Sequence, residues 1–310
     1  MSSELWRLNA GTIAHGVRTK QFSAREVTEA VLDRIDATNP RINALAEVMR
    51  NEALAAANTA DQRLAEGNEL GPLSGVPVAI KINTDTAGHA TTDGCVALMD
   101  HVAESDSPLV SHLRDAGAII VGRSNAPAFS LRWFTDNDAH GRTLNPFNPD
   151  VTPGGSSGGA AAAVAMGMCA IGQGNDYGGS IRYPAFACGV VGLRTTTGRI
   201  SSYKASGPNR GITSQLMSVQ GPLTRTVADA KIALEVMSKP SALDPNWTPA
   251  PLEYSDGKDK LTVALFKHHR NYRADKSVVS ALNQAARWLE SAGCIVEEVE
   301  PPHFEEASEL

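Results

Sequence analysis

Two hydrophobic rhythms alternate along the chain. Over "SAREVTEAVLDRIDATNP", Val27, Val31, Leu32 and Ile35 recur at helical spacing on an otherwise polar segment. Ser23, followed three residues later by Glu26, makes a capping-box pattern at its start, and Asn39-Pro40 is its expected stop. A second helix is expected over "NEALAAANTADQRLAEG". After Gly71 the rhythm changes. "GVPVAIKIN" is a short apolar run that suits a buried strand, and "SPLVSHLRDAGAIIVG" predicts a helix and then a strand. Further on, "KLTVALFKHH", "KSVVSALNQAARWLESAG" and "CIVEEVEP" read as strand, helix, strand. Helices alternating with short buried strands predict an α/β layered fold. The polar, proline-rich "SKPSALDPNWTPAPLEYSDGKD" reads as a surface loop, and neither an internal repeat nor a low-complexity linker is visible.

Composition narrows the function classes. With 310 residues, 42% of them hydrophobic, the chain can build a large core, as one big domain or two. The net charge of −6 comes without a basic block, which argues against direct binding to a phosphate backbone. Cys95, Cys169, Cys188 and Cys294 are scattered without C-x-x-C pairs and read as reduced core residues, not as a disulfide frame or zinc site. The start lacks an apolar signal core, and the longest apolar run, "GGAAAAVAMGMCAIG", is short for a membrane span. These features point to a soluble cytoplasmic protein. The eight histidines show no H-E-x-x-H or other close ligand spacing, so no metal is expected; a Ser-His-Asp triad stays open, but nothing selects one.

One stretch, "PDVTPGGSSGGAAAAVAMG", demands a reason for its cost, because glycine loses more conformational freedom on folding than any other residue. Gly154, Ser156 and Gly158 satisfy G-x-S-x-G, yet that motif requires a strand directly before the serine and the preceding "NPFNPDVTP" reads as loop. A phosphate loop lacks its Lys-Ser/Thr, and "GQGNDY" has Tyr177 where a third glycine would stand. S-x-x-K occurs at Ser201 to Lys204 without its partner motifs. The plain alternative is a tight loop whose serines cap the following helix. Two more features stand beside it: a second glycine-serine element, "GNDYGGSIRYPA", and Lys81 inside the apolar "PVAIKI", where a lysine is seldom buried without a task or partner.

Together these segments resemble the amidase signature family of serine hydrolases with a Ser-Ser-Lys triad. The resemblance runs from about Ser23 to about Gly221 and loosely onward, over "LSGVPVAIKIN", "LRDAGAIIVGRSN", "NPFNPDVTPGGSSGGAAAAVAMG", "GNDYGGSIRYPAFACGVVGLRTTTGR" and "GPLTRTVADA", in the family's order. It implies a mixed central sheet covered by helices in a single domain over 1–310, with a helical part to about 70 and a catalytic core from about 71. It also implies that Lys81 is the catalytic base, Ser156 the bridging serine behind a cis peptide at Gly155-Ser156, and Ser180 the nucleophile. The backbone N–H groups of Tyr177, Gly178, Gly179 and Ser180 match the oxyanion loop, with Ser157, Asp176 and Arg182 in support.

The activity so implied is hydrolysis of a carboxylic amide to acid and ammonia or amine through an acyl-enzyme, without cofactor, on a small-molecule substrate. A serine hydroxyl needs a base, and a lysine serves as one when desolvation brings its pKa toward ~7–8. Homo-oligomerisation is left open. Two other readings stand beside it: the amidase subunit of a tRNA-dependent amidotransferase, and a fragment that only binds a ligand or partner. The chain departs from the family where Lys81-Ile82-Asn83 replaces Lys-Asp-Asn and where Tyr177 replaces a smaller residue. Family members also run well past "PPHFEEASEL", so the resemblance implies that the C-terminal part of the core is missing.

Overall fold

Ser23 caps the first long helix as its sequence requires: its side chain accepts from the N–H of Glu26, and the Glu26 carboxylate accepts from the N–H of Ser23. The computed structural model describes residues 2–207, 211–252, 260–269, 273–300, 303 and 306. They form two compact units, Met1–Ala250 and Pro251–Leu310.

The first unit begins with α1 (Ala10–Arg18), α2 (Ala24–Ile42), β1 (Leu45–Val48) and α3 (Arg50–Ala65). The expected stop at Asn39-Pro40 is corrected: α2 contains Pro40 and runs to Ile42, ending at Asn43 in a left-handed conformation. A proline in the last turn removes only one intrahelical hydrogen bond. The Asn39 side chain strengthens the exit by accepting from the N–H groups of Ala44 and Leu45, both at 2.9 Å.

Next come β2 (Pro77–Lys81), α4 (Pro108–Asp115), β3 (Ile119–Ser124), α5 (Gly158–Ala165), β4 (Ile171–Asp176), α6 (Arg182–Cys188) and β5 (Val191–Gly192). The unit closes with α7 (Ile212–Met217), β6 (Val219–Thr224) and α8 (Val227–Met237). Its strands build one mixed sheet in the order β1-β3-β2-β4-β6-β5. β2 is parallel to β3 and β4, whereas β1 on β3 and β6 on β4 are antiparallel. The expected α/β layered architecture is therefore present. α5, apolar all round and buried, packs against β2 and β4, which makes it a core helix.

The second unit is the expected strand, helix and strand: β7 (Thr262–Leu265), α9 (Lys276–Ser291) and β8 (Ile295–Glu298), with β7 and β8 parallel in a sheet of their own. Residues 240–252 form neither helix nor strand, as the loop reading requires; 253–259 lie outside the described residues. The cysteine reading needs one correction. All four are free, but only Cys169 and Cys188 are core residues; Cys95 and Cys294 are half-buried because each follows a glycine turn at the margin of an element. Among the described residues, no helix is long and apolar enough to cross a membrane.

Candidate active site

The site opens where two parallel strands part. β2 and β4 pair only at Val78–Ile171 and Ala79–Gly172. Beyond this, the Lys81 N–H donates to the side-chain Oε1 of Gln173 at 3.0 Å, so a side chain takes over from the ladder as the strands separate. Such a crevice at the carboxyl ends of parallel strands is where α/β folds place their ligands.

Lys81 occupies that crevice and is fully buried. Its Nζ donates to Ser156 Oγ at 2.7 Å, to Asn175 Oδ1 at 2.8 Å and to Ser157 Oγ at 3.2 Å. Burial pushes its pKa down to about 7, against the opposing pull of the Asp93 and Asp176 charges. A lysine with that pKa is a base near neutrality.

The glycine-serine run delivers Ser156 to Lys81 because the surrounding backbone leaves no room for side chains. A Cβ at Gly155 would lie 2.6 Å from Arg132 O and from Phe134 N, and one at Gly159 would collide with the backbone of Asn125. The Gly155-Ser156 peptide is cis, as the resemblance implied. Next along the chain, Ser157 Oγ donates to the Asn175 carbonyl at 3.3 Å, and the Ser157 N–H donates to the Ser180 carbonyl at 3.1 Å.

Asp176, at the end of β4, organises the second glycine-serine element. Its buried carboxylate accepts from the N–H groups of Gly179 (2.8 Å), Ile181 (3.1 Å) and Arg182 (3.3 Å), and from the Arg182 guanidinium twice at 3.0 Å. Burial by itself would raise the Asp176 pKa, but Arg182 and the three N–H groups outweigh it and hold the carboxyl at about 2. The expectation of four oxyanion donors is narrowed here, because the Gly179 N–H is already given to Asp176. Those of Tyr177, Gly178 and Ser180 have no acceptor among the described residues. The space that a Cβ of Gly178 or Gly179 would enter is open.

Ser156 and Ser180 share the wall of a pocket of about 770 Å³. No hydrogen bond joins their hydroxyls directly. The pocket also exposes Phe129, Trp133, Tyr177 and Tyr203, and Trp133 Nε1 donates to the Gly178 carbonyl at 3.0 Å. The S-x-x-K pair is not assembled as a site: Ser201 Oγ donates to Asp244 at 3.2 Å, and Lys204 pairs with Asp93 at 2.8 Å. Among the described residues, no group of three or more His, Cys, Asp or Glu side chains is arranged to hold a metal ion.

Three residues of the site escaped the sequence reading, Gln173, Asn175 and Trp133, and Asn83 entered it only within the Lys81-Ile82-Asn83 departure. Gln173 and Asn175 had a usable signal. They lie two apart in "IGQGND", so once that segment is known to be a strand they share a face, the one that meets Lys81. Asn83 accepts from Asn175 Nδ2 at 2.9 Å and donates to Ser130 Oγ at 3.0 Å.

A mixed sheet with a buried lysine at a strand end, held to a serine of a glycine-serine loop, is the architecture of the amidase signature enzymes. The chain belongs to that family: the Amidase family model matches residues 26–310. An indoleacetamide hydrolase from Bradyrhizobium diazoefficiens is 48% identical over 299 residues, which are 96% of this chain and 57% of that protein. A glutamyl-tRNA(Gln) amidotransferase subunit from Carboxydothermus hydrogenoformans is 39% identical over 97% of this chain and 62% of its own length. Among solved structures, a fatty acid amide hydrolase superposes with a TM-score of 0.88 at 30% identity, over 99% of this chain and 55% of that one. The chain thus spans a little over half the length of these relatives.

Proposed function

We propose that this chain carries the catalytic centre of an amidase, which hydrolyses a carboxylic amide through an acyl-enzyme on Ser180. The observation that carries the reading is the fully buried Lys81, with its pKa near 7, held 2.7 Å from Ser156 in the pocket that Ser180 lines. Neutral Lys81 takes the Ser156 proton while Ser156 takes that of Ser180, whose oxygen attacks the amide carbon. The N–H groups of Tyr177, Gly178 and Ser180 receive the oxyanion, each donor contributing about 3 kcal/mol to the transition state. The same relay returns the proton to the leaving nitrogen, and water then releases the acid. Ser157, Asp176 and Arg182 hold the two loops.

The aromatic walls, Phe129, Trp133, Tyr177 and Tyr203, suit a flat apolar group beside the amide. With the relationship to an indoleacetamide hydrolase, they favour arylacetamides as the substrate class. The four free cysteines fit a reducing, cytoplasmic setting. A second reading, glutamine hydrolysis within a tRNA-dependent amidotransferase, rests on the lower identity to the amidotransferase relative. The test compares indoleacetamide, aliphatic amides and glutamine, the last with and without partner proteins. Release of indoleacetic acid without a partner supports the first reading, and ammonia from glutamine only with partners supports the second.

A further inference from the structure

Three oxygens surround one nitrogen at the centre of the site, and their protons are not equivalent. A protonated Lys81 has three N–H bonds for its three acceptors, Ser156 Oγ, Ser157 Oγ and Asn175 Oδ1. A neutral Lys81 has two N–H bonds and a lone pair, so one contact must reverse and one oxygen must donate. Asn175 Oδ1 carries no proton. The Ser157 hydroxyl directs its hydrogen to the Asn175 carbonyl at 3.3 Å. Only Ser156 is free to donate.

We propose that Asn175 is a positioning residue which, with Ser157, occupies both N–H bonds of neutral Lys81 and so aims its lone pair at the Ser156 hydroxyl. This rests on the amidase reading above. Asn175 is itself oriented: its Nδ2 donates to Asn83 Oδ1, and Asn83 Nδ2 donates to Ser130 Oγ on the pocket wall. An amide turned the other way would offer N–H to an ammonium that can only donate, so the protonated state fixes Oδ1 toward Lys81. The proton then has one route, from Ser156 Oγ to Lys81 Nζ, and Ser157, although close, does not compete. The charged groups around Lys81 are Asp93, paired with Lys204, and Asp176, paired with Arg182 and Arg194. Asn175 Oδ1 is the one acceptor of Lys81 that carries neither a charge nor a hydrogen of its own.

The test follows fluorophosphonate labelling of Ser180 against pH in wild type, Asn175→Leu, Asn175→Asp and Asn83→Ala, with thermal melting of each. Asn175→Leu removes an acceptor from the ammonium, so the labelling limb moves to lower pH while its plateau falls about 100-fold, the loss expected of a misaligned base. A merely loosened structure would lower the plateau without moving the limb. Asn175→Asp places a carboxylate on the ammonium and moves the limb to higher pH. Asn83→Ala, which frees the Asn175 amide to rotate, lowers the plateau with little change in melting. Labelling of Asn175→Leu within about threefold of wild type, or an Asn175→Asp limb that stays in place, overturns the proposal. If Asn175→Leu does not melt cooperatively, the Asn175→Asp limb decides alone. A wild type that does not label brings down the amidase reading and this proposal together, whereas a wild type and an Asn175→Leu that label equally bring down this proposal only.

Discussion

The Ser157 N–H donates to the Ser180 carbonyl at 3.1 Å, a single backbone bond that ties the two glycine-serine loops together. It constrains where Ser180 stands relative to Ser156, the nucleophile and the relay serine of the proposed mechanism. Removing either hydroxyl leaves this bond in place, so the two serines can be tested without separating the loops.

If Ser180 is the nucleophile, as proposed, Ser180→Ala removes the attacking oxygen and should abolish covalent labelling, with melting unchanged. Ser156→Ala leaves the nucleophile but breaks the relay, and should slow turnover roughly 10²–10⁴-fold, the usual contribution of general acid–base catalysis. Mass spectrometry of trapped wild type should find the adduct on Ser180. An adduct on Ser156 would reverse the two roles.

Lys81 makes a paired prediction for activity and stability. Its pKa is lowered from 10.5 to about 7, so kcat/KM should rise with pH through that value and then level off, and Lys81→Met should lose this limb with most of the activity. Between those two pKa values the unfolded chain binds the extra proton, so wild-type stability rises with pH across the window and the cost of the buried amine is full below 7. Lys81→Met should therefore gain stability at pH 6, on the order of 5 kcal/mol before its lost hydrogen bonds are subtracted, and gain less at pH 9. Denaturant unfolding at both pH values measures the difference; an equal gain at both would show that Lys81 is not desolvated as described.

Asp176 behaves in the opposite sense. Its carboxyl is held at about 2 against an ordinary 3.8, so its stabilisation is complete above the ordinary value and is lost as pH falls through 2. This share should be about 2 kcal/mol. Asp176→Asn forfeits it at every pH and turns an amide N–H toward donors, so it should be destabilised at pH 6 and lose less than wild type on going to pH 2.5. Urea unfolding of both proteins at both pH values isolates the carboxyl, and parallel losses would count against the assignment.

The elements legible in the sequence were those whose burial follows a simple period: α2, α3, β2, α4, β3 and the strand-helix-strand of β7, α9 and β8. β4 and β6 were not. β4 reads Ile-Gly-Gln-Gly-Asn-Asp and β6 contains Gly221 and Pro222, compositions that argue against interior strands, yet they pair over six residues in the middle of the sheet. Their polar and small residues are there for the site: Gln173 and Asn175 bond to Lys81, and Gly174 gives way to Ser157, which would lie 2.8 Å from its Cβ. Local propensity failed where chemistry had displaced packing. Lys81, Ser156 and Ser180 were named through resemblance, but which N–H groups of the 177–180 loop remain free depends on where Asp176 spends its acceptors. No spacing rule contains that information.

Two glycines of the site should respond to the same substitution in opposite ways. In Gly155→Ala the new methyl meets backbone on both sides, Arg132 O and Phe134 N at 2.6 Å, and neither can move aside as a flexible side chain would. The strain should cost about 3 kcal/mol, displace Ser156 from Lys81 and cut labelling along with the melting temperature. Gly178→Ala places its methyl where no atom lies within 4 Å, and its φ is not in the left-handed region, so the fold should melt as wild type. Gly178 nevertheless lines the pocket, and the methyl should crowd the acyl group and raise KM, more for an arylacetamide than for acetamide. Melting curves and KM for both amides on the two variants check the pair. A Gly155→Ala protein that melts and labels as wild type would mean that the loop approaches the 132–134 backbone less closely than described, and an unchanged KM in Gly178→Ala would remove this loop from the substrate's path.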